Sequence, residues 1–589
     1  MPKLLTYALP ITVALFLLVF YAGLPLLNRC QLPQRRPGRF DRFDALLLGL
    51  ITALYAIPAF WSLGNTVSPE TFFPLEGQTV TLTLDEPTRP ESAMIFAGIG
   101  IGGYEMQVSF DGEDYITVHT IDQGSASVLK WERYALFDVD RPIVSLRLHC
   151  TYGQPWLGEV VLYDEAGQVI PLRCEESALC DEPDTAPEKQ HFMNSTYFDE
   201  IYHARTAWEH LHNVWPYEIS HPPLGKEILS LGILLFGMTP FGWRFSGTLT
   251  GVLMLPLMYL LLKRLFGGRA VPALGTVVFA ADFMHYVQTR IATIDSYGVF
   301  FILLMFYFMY LWLEEEKPWQ LALCGVSFGL GAASKWICLY AGAGLGVLWA
   351  AYWIRRFVGK KGKKTALFRT FLWNVCFCLV FFILVPCGVY YLAYLPYGRA
   401  LGQSPFSLAY LQTIVENQRF MFTYHASIVA EHPYSSRWYQ WLLNIRPILY
   451  YLEYYDDGTR SSIAAFVNPL LCWGGLLSLF VLGYTAIFRR DRRAAFLLVG
   501  FLAQLLPWVF ISRLTFAYHY FPSAAFLVLS MGYIFALTRE NNRRWLLYAG
   551  SFTVVCVVLF VLFFPVLSGM PADNVRTTQI LQWLPTWPI

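Results

Sequence analysis

The chain runs to 589 residues, of which 56% are hydrophobic, 17% aromatic and only 14% charged, with a mean hydropathy of +0.43. Soluble chains carry charge on about a quarter of their residues, so this composition excludes a disordered chain and argues against a soluble multidomain enzyme. A formal net charge of +1 gives no net pull on phosphate and argues against a nucleic-acid binder. The apolar residues gather in runs near the ~20 residues that span a hydrocarbon core, the pattern of a polytopic α-helical membrane protein. Of eleven cysteines, Cys324, Cys338, Cys376, Cys378, Cys387, Cys472 and Cys556 lie in such runs, where a thiol behaves as a small hydrophobe.

In chain order, predicted spans cover 5–27, 44–63, 240–263, 270–288, 292–312, 319–334, 337–355, 368–394, 463–487, 494–511, 515–537 and 545–567. The first lacks an obvious small-residue cleavage site and is read as an anchor. Basic residues cluster in five links. These are 28–43, with Arg35 and Arg36; 263–269; 355–369, with Lys360, Lys361, Lys363 and Lys364; 488–493; and 538–544. With about twelve spans, all five fall on one side, which the positive-inside rule makes cytoplasmic. The sixth inner link, Glu314 to Lys317, is acidic and adds no support. Segments 64–239 and 395–462 and both termini then face outward from the cell membrane.

The predicted domains follow. Residues 1–65 hold two spans and a basic loop, and 66–175 have a different texture. There, "QTVTLTLDEP", "YEMQVSFDGEDYITVHT", "RYALFDV", "PIVSLRLHC" and "LGEVVLYDEAGQVIPL" alternate apolar and polar residues between turn residues. A period of two predicts an inserted extracytoplasmic antiparallel β-sandwich. It resembles a discoidin-type or galactose-binding-like jelly roll, and both a glycan-binding module and a structural insertion fit. Cys150, Cys174 and Cys180 lie outside, where a disulfide can form, and Cys174–Cys180 is the closest pair. Residues 176–190 read as an acidic linker, 191–239 as an outward loop with an amphipathic helix, and 240–394 as membrane helices. Residues 395–462 form an outward loop with interfacial segments, and 463–589 form the last spans and an outward tail.

The richest polar stretch is "NSTYFDEIYHARTAWEHLHNVWPYEISHPPLGKEIL" at 194–229. Phe198, Ile201, Ala204, Trp208 and Leu211 make one face of a helix able to lie on the membrane surface. Asp199 and His203 share the opposite face, and Glu200 points about 100° away from Asp199. Asp199 suits a catalytic carboxylate; it also suits a helix cap, since Thr196-Tyr-Phe-Asp199 resembles a capping box. His221-Pro222-Pro223 cannot continue a helix. Together with Glu218 and Lys226, it makes a polar kink suited to a ligand or, in the bland reading, a turn beside a snorkelling lysine.

These motifs resemble the protein O-mannosyltransferase family of GT-C glycosyltransferases. The Asp199-Glu200 pair is followed by "HPPLGK" and "WRFSG" with Arg244. Next come "RIATIDSYGVFF" with Arg290 and Asp295, and "GAASKWICLY" with Lys335. The last two are "HPYSSRWYQWLLNIRPILYY" and "RLTFAYHYFPS". The resemblance spans about 195 to 540. The inserted jelly roll departs from the family's plan, and no β-trefoil repeats are visible in 395–462.

The resemblance implies inverting transfer of a hexose, mannose foremost, from a polyprenyl phosphate to an acceptor hydroxyl on the outer face. It implies Asp199 as general base, with Glu200 either supporting that site from behind or orienting the donor. For the donor phosphate it points to Arg244 first, then Lys335, with His221, Lys226, Arg437, Arg446, Arg513 and His519 as further candidates. Trp438 and Tyr518 are expected along a sugar or lipid path. No cofactor is assigned. The wider superfamily admits a divalent metal, for which Glu218, His203 and His221 are the set available, at a spacing that matches no recognised motif. The expected partners are the lipid bilayer, the lipid-linked donor, and a protein or glycan acceptor. Protein Ser/Thr is favoured over a lipid or cell-wall glycan. A transporter or flippase would instead show repeated halves and midplane polar sites, and no internal repeat is visible.

Overall fold

The computed structural model describes residues 2–34, 39–136, 139–175, 177–359, 365–427 and 431–589. Arg35, Arg36, Lys360, Lys361, Lys363 and Lys364, used in the charge reading, lie outside the described residues. The chain forms two compact units. One comprises Met1–Trp61, Ile219–Glu227 and Gly247–Ile589; the other comprises Ser62–Glu218 and Ile228–Ser246.

The first unit is helical. Among the described residues nine helices are long and apolar enough to cross a membrane, or ten if the bent pair Ala270–Ala280 and Phe283–Arg290 is one span. The twelve predicted spans each overlap a helical segment, although 463–487 begins within strand Thr459–Ala465, and Tyr7–Ala22 and Pro318–Ser334 are shorter helices outside the nine. Ala517–Asn541 lies at the centre, its apolar window 100% buried, whereas that of Thr365–Ala400 is 6% buried. A helix apolar all round and shielded all round belongs to a core; one apolar all round and uncovered belongs in lipid. The 56° bend after Ala280 has a local cause. The Asp282 carboxylate caps the next helix by accepting from His285 N–H at 3.1 Å and also accepts from Asn468 N–H at 2.9 Å. Asp44 is fully buried and accepts from Lys263 Nζ at 2.8 Å and the Tyr259 hydroxyl at 2.6 Å, so this charge is paired rather than stranded.

Segment 395–462, read as a loop, contains a helix, Leu408–Ser427, and a hairpin of Ile448–Tyr454 with Thr459–Ala465. Asp457-Gly458 closes the hairpin, with Gly458 at φ +81°, a conformation that favours glycine.

The second unit holds two five-stranded antiparallel sheets. One runs Phe73–Pro74, Trp156–Tyr163, Ser92–Ala97, Lys130–Ala135, with Val169–Ile170 also on Trp156–Tyr163. The other runs Leu172–Cys174, Thr79–Thr88, Ile143–Gln154, Ile101–Ser109, Tyr115–Gln123. Leu82, Val108, Leu146 and Leu148 of the second sheet share one core with Ile95, Val160 and Leu162 of the first. Cys174 and Cys180 are disulfide-bonded. Ser92–Ala97 is buried at every position, so it shows no alternation of buried and exposed residues. Its second face is covered by aromatic rings: Phe96 packs on Trp131 at 5.2 Å, and Phe72 lies between Phe96 and Trp208.

Trp208 belongs to the amphipathic helix, Glu200–Leu211. The apolar face expected to rest on the membrane instead includes Ala204, fully buried, and Trp208, packed edge-on against Phe72 and Trp156. An aromatic sheet surface within the same unit satisfies that face.

Candidate active site

In the second unit, the chain entering the Glu200–Leu211 helix is tied to the sheets before it turns. Thr196 N–H donates to Leu129 O at 3.1 Å, its hydroxyl donates to Val128 O at 2.7 Å, and Trp131 N–H donates to Ser195 Oγ at 3.2 Å. Phe198 then takes φ +50°, a left-handed conformation that costs a bulky side chain roughly 1–2 kcal/mol. Such strain persists only where neighbouring contacts hold it. Here Glu200 supplies one, since its Oε2 accepts from Tyr197 N–H at 3.2 Å across the turn.

Glu200 is fully buried and is gripped in turn by Arg244. Arg244 Nε donates to Oε1 and Nη2 to Oε2, both at 2.7 Å, while Nη1 reaches Leu63 O at 2.8 Å and Nη2 reaches Ser195 O at 3.0 Å. The guanidinium also sits 4.9 Å from the Tyr197 ring centroid. Arg244 is therefore committed to protein oxygens at 1% exposure, as the anchor of this turn. Asp199 differs from its neighbour. It is half-buried, occupies the N-cap position and makes no capping hydrogen bond through its side chain, so the capping role expected of it is not the one observed. At the far end of the helix, buried Glu209 accepts from Arg205 Nε at 2.7 Å and Tyr217 N–H at 2.6 Å, and Thr206 Oγ1 accepts from Glu218 N–H at 3.0 Å.

In the helical unit, a cavity of about 350 Å³ is lined by Ser220, His221, Pro222, Lys335, Trp336, Ile337, Tyr340, Phe422, His425, Ala426, Trp508, Phe510, Ile511, Ser512, Arg513 and His519. No acidic side chain is among these described residues, whereas Lys335 and Arg513 are cationic. Lys335 occupies the break between helices Pro318–Ser334 and Ile337–Gly359, and its Nζ donates to Asp295 Oδ1 at 2.6 Å. Asp295 is the first residue of helix Asp295–Glu315, where the helix dipole favours an anion. Lys335 Nζ also lies 5.5 Å from the Tyr518 ring centroid, and Tyr518 stacks on His519 at 4.5 Å. His519 Nδ1 is engaged with the Phe516 backbone, and its ring packs against Trp508 at 4.3 Å. The His221 and His425 rings meet at 5.1 Å, and a ring nitrogen of His425, Nε2, lies 2.8 Å from Ser220 O. Arg513 forms no ion pair with an acid among the described residues.

The kink at His221-Pro222-Pro223 ends where helix Leu224–Phe236 begins. Fully buried Lys226 donates from Nζ to His221 O at 3.1 Å, pinning the kink rather than lining the cavity. A Cβ on Gly225 would come 2.8 Å from Ile294 Cγ2 and 3.2 Å from Ser334 O. Glycine lets this helix approach the chain just before Asp295 and just before Lys335.

His221, Lys335, Arg513 and His519 thus line one cavity. Other expected residues do not line the cavity. Arg437 is exposed at the start of the one-turn helix Trp438–Trp441, Trp438 packs edge-on against Tyr439, and Arg446 donates to Pro433 O. Arg290 donates to Ala59 O at 3.1 Å and Trp61 O at 2.7 Å. Trp336, Tyr340, His425 and Trp508 were not singled out in the sequence, because an aromatic in an apolar run reads as core or interfacial belt. A group of three metal-ligating side chains among the described residues lies in the β-rich unit.

The fold is similar to the solved structure of the Saccharomyces cerevisiae protein O-mannosyltransferase Pmt1–Pmt2 complex bound to the sugar donor. The TM-score is 0.59 at 14% identity, over 67% of this chain and 89% of that one. That likeness defines a polytopic helical membrane fold of the GT-C type. Residues 235–397 match the family model for dolichyl-phosphate-mannose-protein mannosyltransferase, and 410–587 match the C-terminal four-transmembrane region of protein O-mannosyltransferase. Polyprenol-phosphate-mannose–protein mannosyltransferase of Mycobacterium tuberculosis is 26% identical over 458 residues, 66% of this chain and 86% of the relative. That of Mycolicibacterium smegmatis is 27% identical over 457 residues, 66% and 87%. The chain belongs to the protein O-mannosyltransferase family, glycosyltransferase family 39. The β-rich segment lies outside both matched ranges.

Proposed function

We propose that the enzyme transfers mannose from a polyprenyl phosphate to a serine or threonine hydroxyl of a protein on the outer face of the cell membrane, with inversion. The observation that carries this reading is the cavity: its charged lining is cationic, and Trp336, Tyr340, Trp508 and Phe510 line it with aromatic surface. A phosphate carrying an apolar chain suits that combination, and a neutral sugar alone would not call for it. The family membership and the names of the mycobacterial relatives support the donor.

In the proposed reaction, the acceptor oxygen attacks C1 of the sugar as the bond from C1 to the phosphate oxygen breaks. Asp199 takes the hydroxyl proton, and the polyprenyl phosphate leaves as an anion stabilised by Lys335 and Arg513. Phosphate is already a fair leaving group, so cations suffice where a glycosidase needs an acid. Glu200 and Arg244 are positioning residues that fix the turn on which Asp199 sits. This assigns Arg244 a different part from the phosphate ligand expected of it. Transfer to a lipid or cell-wall glycan is the second reading of the acceptor.

The test is incubation of the purified enzyme in lipid nanodiscs with polyprenyl-phosphate mannose or glucose, against Ser/Thr peptide, lipid and glycan acceptors. Mannosyl peptide is the expected product. Product on glycan or lipid alone would overturn the acceptor, and no transfer of either sugar to any acceptor would overturn the reaction.

A further inference from the structure

Three carboxylates converge in the β-rich unit. Glu159 lies on strand Trp156–Tyr163, beside an irregularity in its pairing with Ser92–Ala97. Asp181 and Glu182 directly follow Cys180, whose disulfide to Cys174 ties their turn to the strand Leu172–Cys174. One oxygen from each carboxylate lies within 4.8 Å of the other two.

Exposed acidic clusters are common and need no ligand, but this one has a buried member. Glu159 is 0% exposed. An oxygen of its carboxylate, Oε2, accepts from Glu182 N–H at 2.9 Å, and the other, Oε1, is buried without a hydrogen-bond partner. A carboxylate oxygen out of water and without a donor is costly, and two neighbouring acids raise that cost. None of the three pairs with a lysine or arginine among the described residues; Glu182 Oε2 is itself held by Glu70 N–H at 2.9 Å.

A hard divalent cation would resolve all of this at once, since each carboxylate supplies an anionic oxygen. Calcium fits better than magnesium. It accepts irregular shells of about six to eight oxygens, filled here by water at the exposed Asp181 side, whereas magnesium requires a near-octahedral site. We propose that Glu159, Asp181 and Glu182 form a calcium site that clamps the turn after Cys180 onto strand Trp156–Tyr163.

Calcium titration of the full-length protein, stripped with chelator in detergent, tests this by calorimetry and thermal unfolding. The expected result is one saturable calcium per chain and a rise in melting temperature on addition. Asp181→Asn, a surface change that leaves the fold intact, should weaken binding at least tenfold, and the isosteric Glu159→Gln should abolish it. Magnesium at equal concentration should bind at least tenfold more weakly than calcium. No saturable calcium binding up to roughly 10 mM, beyond the range of weak extracellular sites, would overturn the proposal. Binding unchanged in both variants would also overturn it. So would a Glu159→Gln protein more stable than a parent that ignores calcium, since Glu159 would then be a neutral, protonated acid.

Discussion

At the residue scale, the adjacent acids Asp199 and Glu200 have opposite environments, and this separates their parts. Glu200 is fully buried and held by two bonds from Arg244, whereas Asp199 is half-buried and makes no capping bond. Removing one partner of a buried ion pair costs about 3–5 kcal/mol, because the other charge is left behind. Arg244→Ala is therefore expected to lower the melting temperature and the yield of folded protein sharply, and thermal unfolding in detergent checks this. A variant that melts like the parent, with only donor affinity lost, would return Arg244 to the phosphate. Arg513 is the opposite case, partly exposed on the cavity and paired with no acid among the described residues. Arg513→Ala should raise KM for the lipid-linked sugar about tenfold, as a charge-assisted contact worth about 1.5 kcal/mol implies, with an unchanged melting temperature. The sequence made both arginines legible as candidates. It did not separate them, because whether a guanidinium meets a carboxylate or a cavity depends on residues distant along the chain.

At the element scale, helix Leu224–Phe236 seats the kink that carries His221. Gly225→Ala would drive a methyl against Ile294 and Ser334, and overpacking of this kind costs about 1–3 kcal/mol. The expected outcome is a lower melting temperature with reduced transfer, read on the same preparation. Within that helix, burial pushes the Glu227 carboxyl up to about 7, against the opposing pull of Arg399 and Lys226. The folded state thus favours the protonated acid, and this contribution to stability declines as pH rises from about 4.5 to about 7. Glu227→Gln should flatten the fall in melting temperature across that window; a profile identical to the parent's would contradict it. Elements with a clear period were legible. The alternating strands and the long apolar helices fall where their spacing puts them. Ser92–Ala97 was not, because a strand buried on both faces has no alternation, and neither was the 448–465 hairpin, although Asp457-Gly458 is a turn signal. The membrane contact expected of the Glu200–Leu211 face was a partner error: amphipathicity shows that a helix covers something apolar, without saying what.

At the scale of the whole molecule, the outward orientation rests on the distribution of basic links. It predicts that Glu188→Cys, at an exposed site in 176–190, reacts with a membrane-impermeant maleimide on intact cells, above the parent's background. Arg543→Cys, in the 538–544 link, should react only after permeabilisation, and the reverse pattern would invert the molecule. In the proposed mechanism a carboxylate takes the acceptor proton while cations receive the phosphate. The most direct measurement of it is single-turnover transfer by Asp199→Asn, with donor binding measured on the same sample. Asparagine keeps the shape and removes the base, so transfer should fall by at least about a hundredfold, with donor affinity within about twofold of the parent. Parent-like transfer by Asp199→Asn would show that Asp199 is not the base.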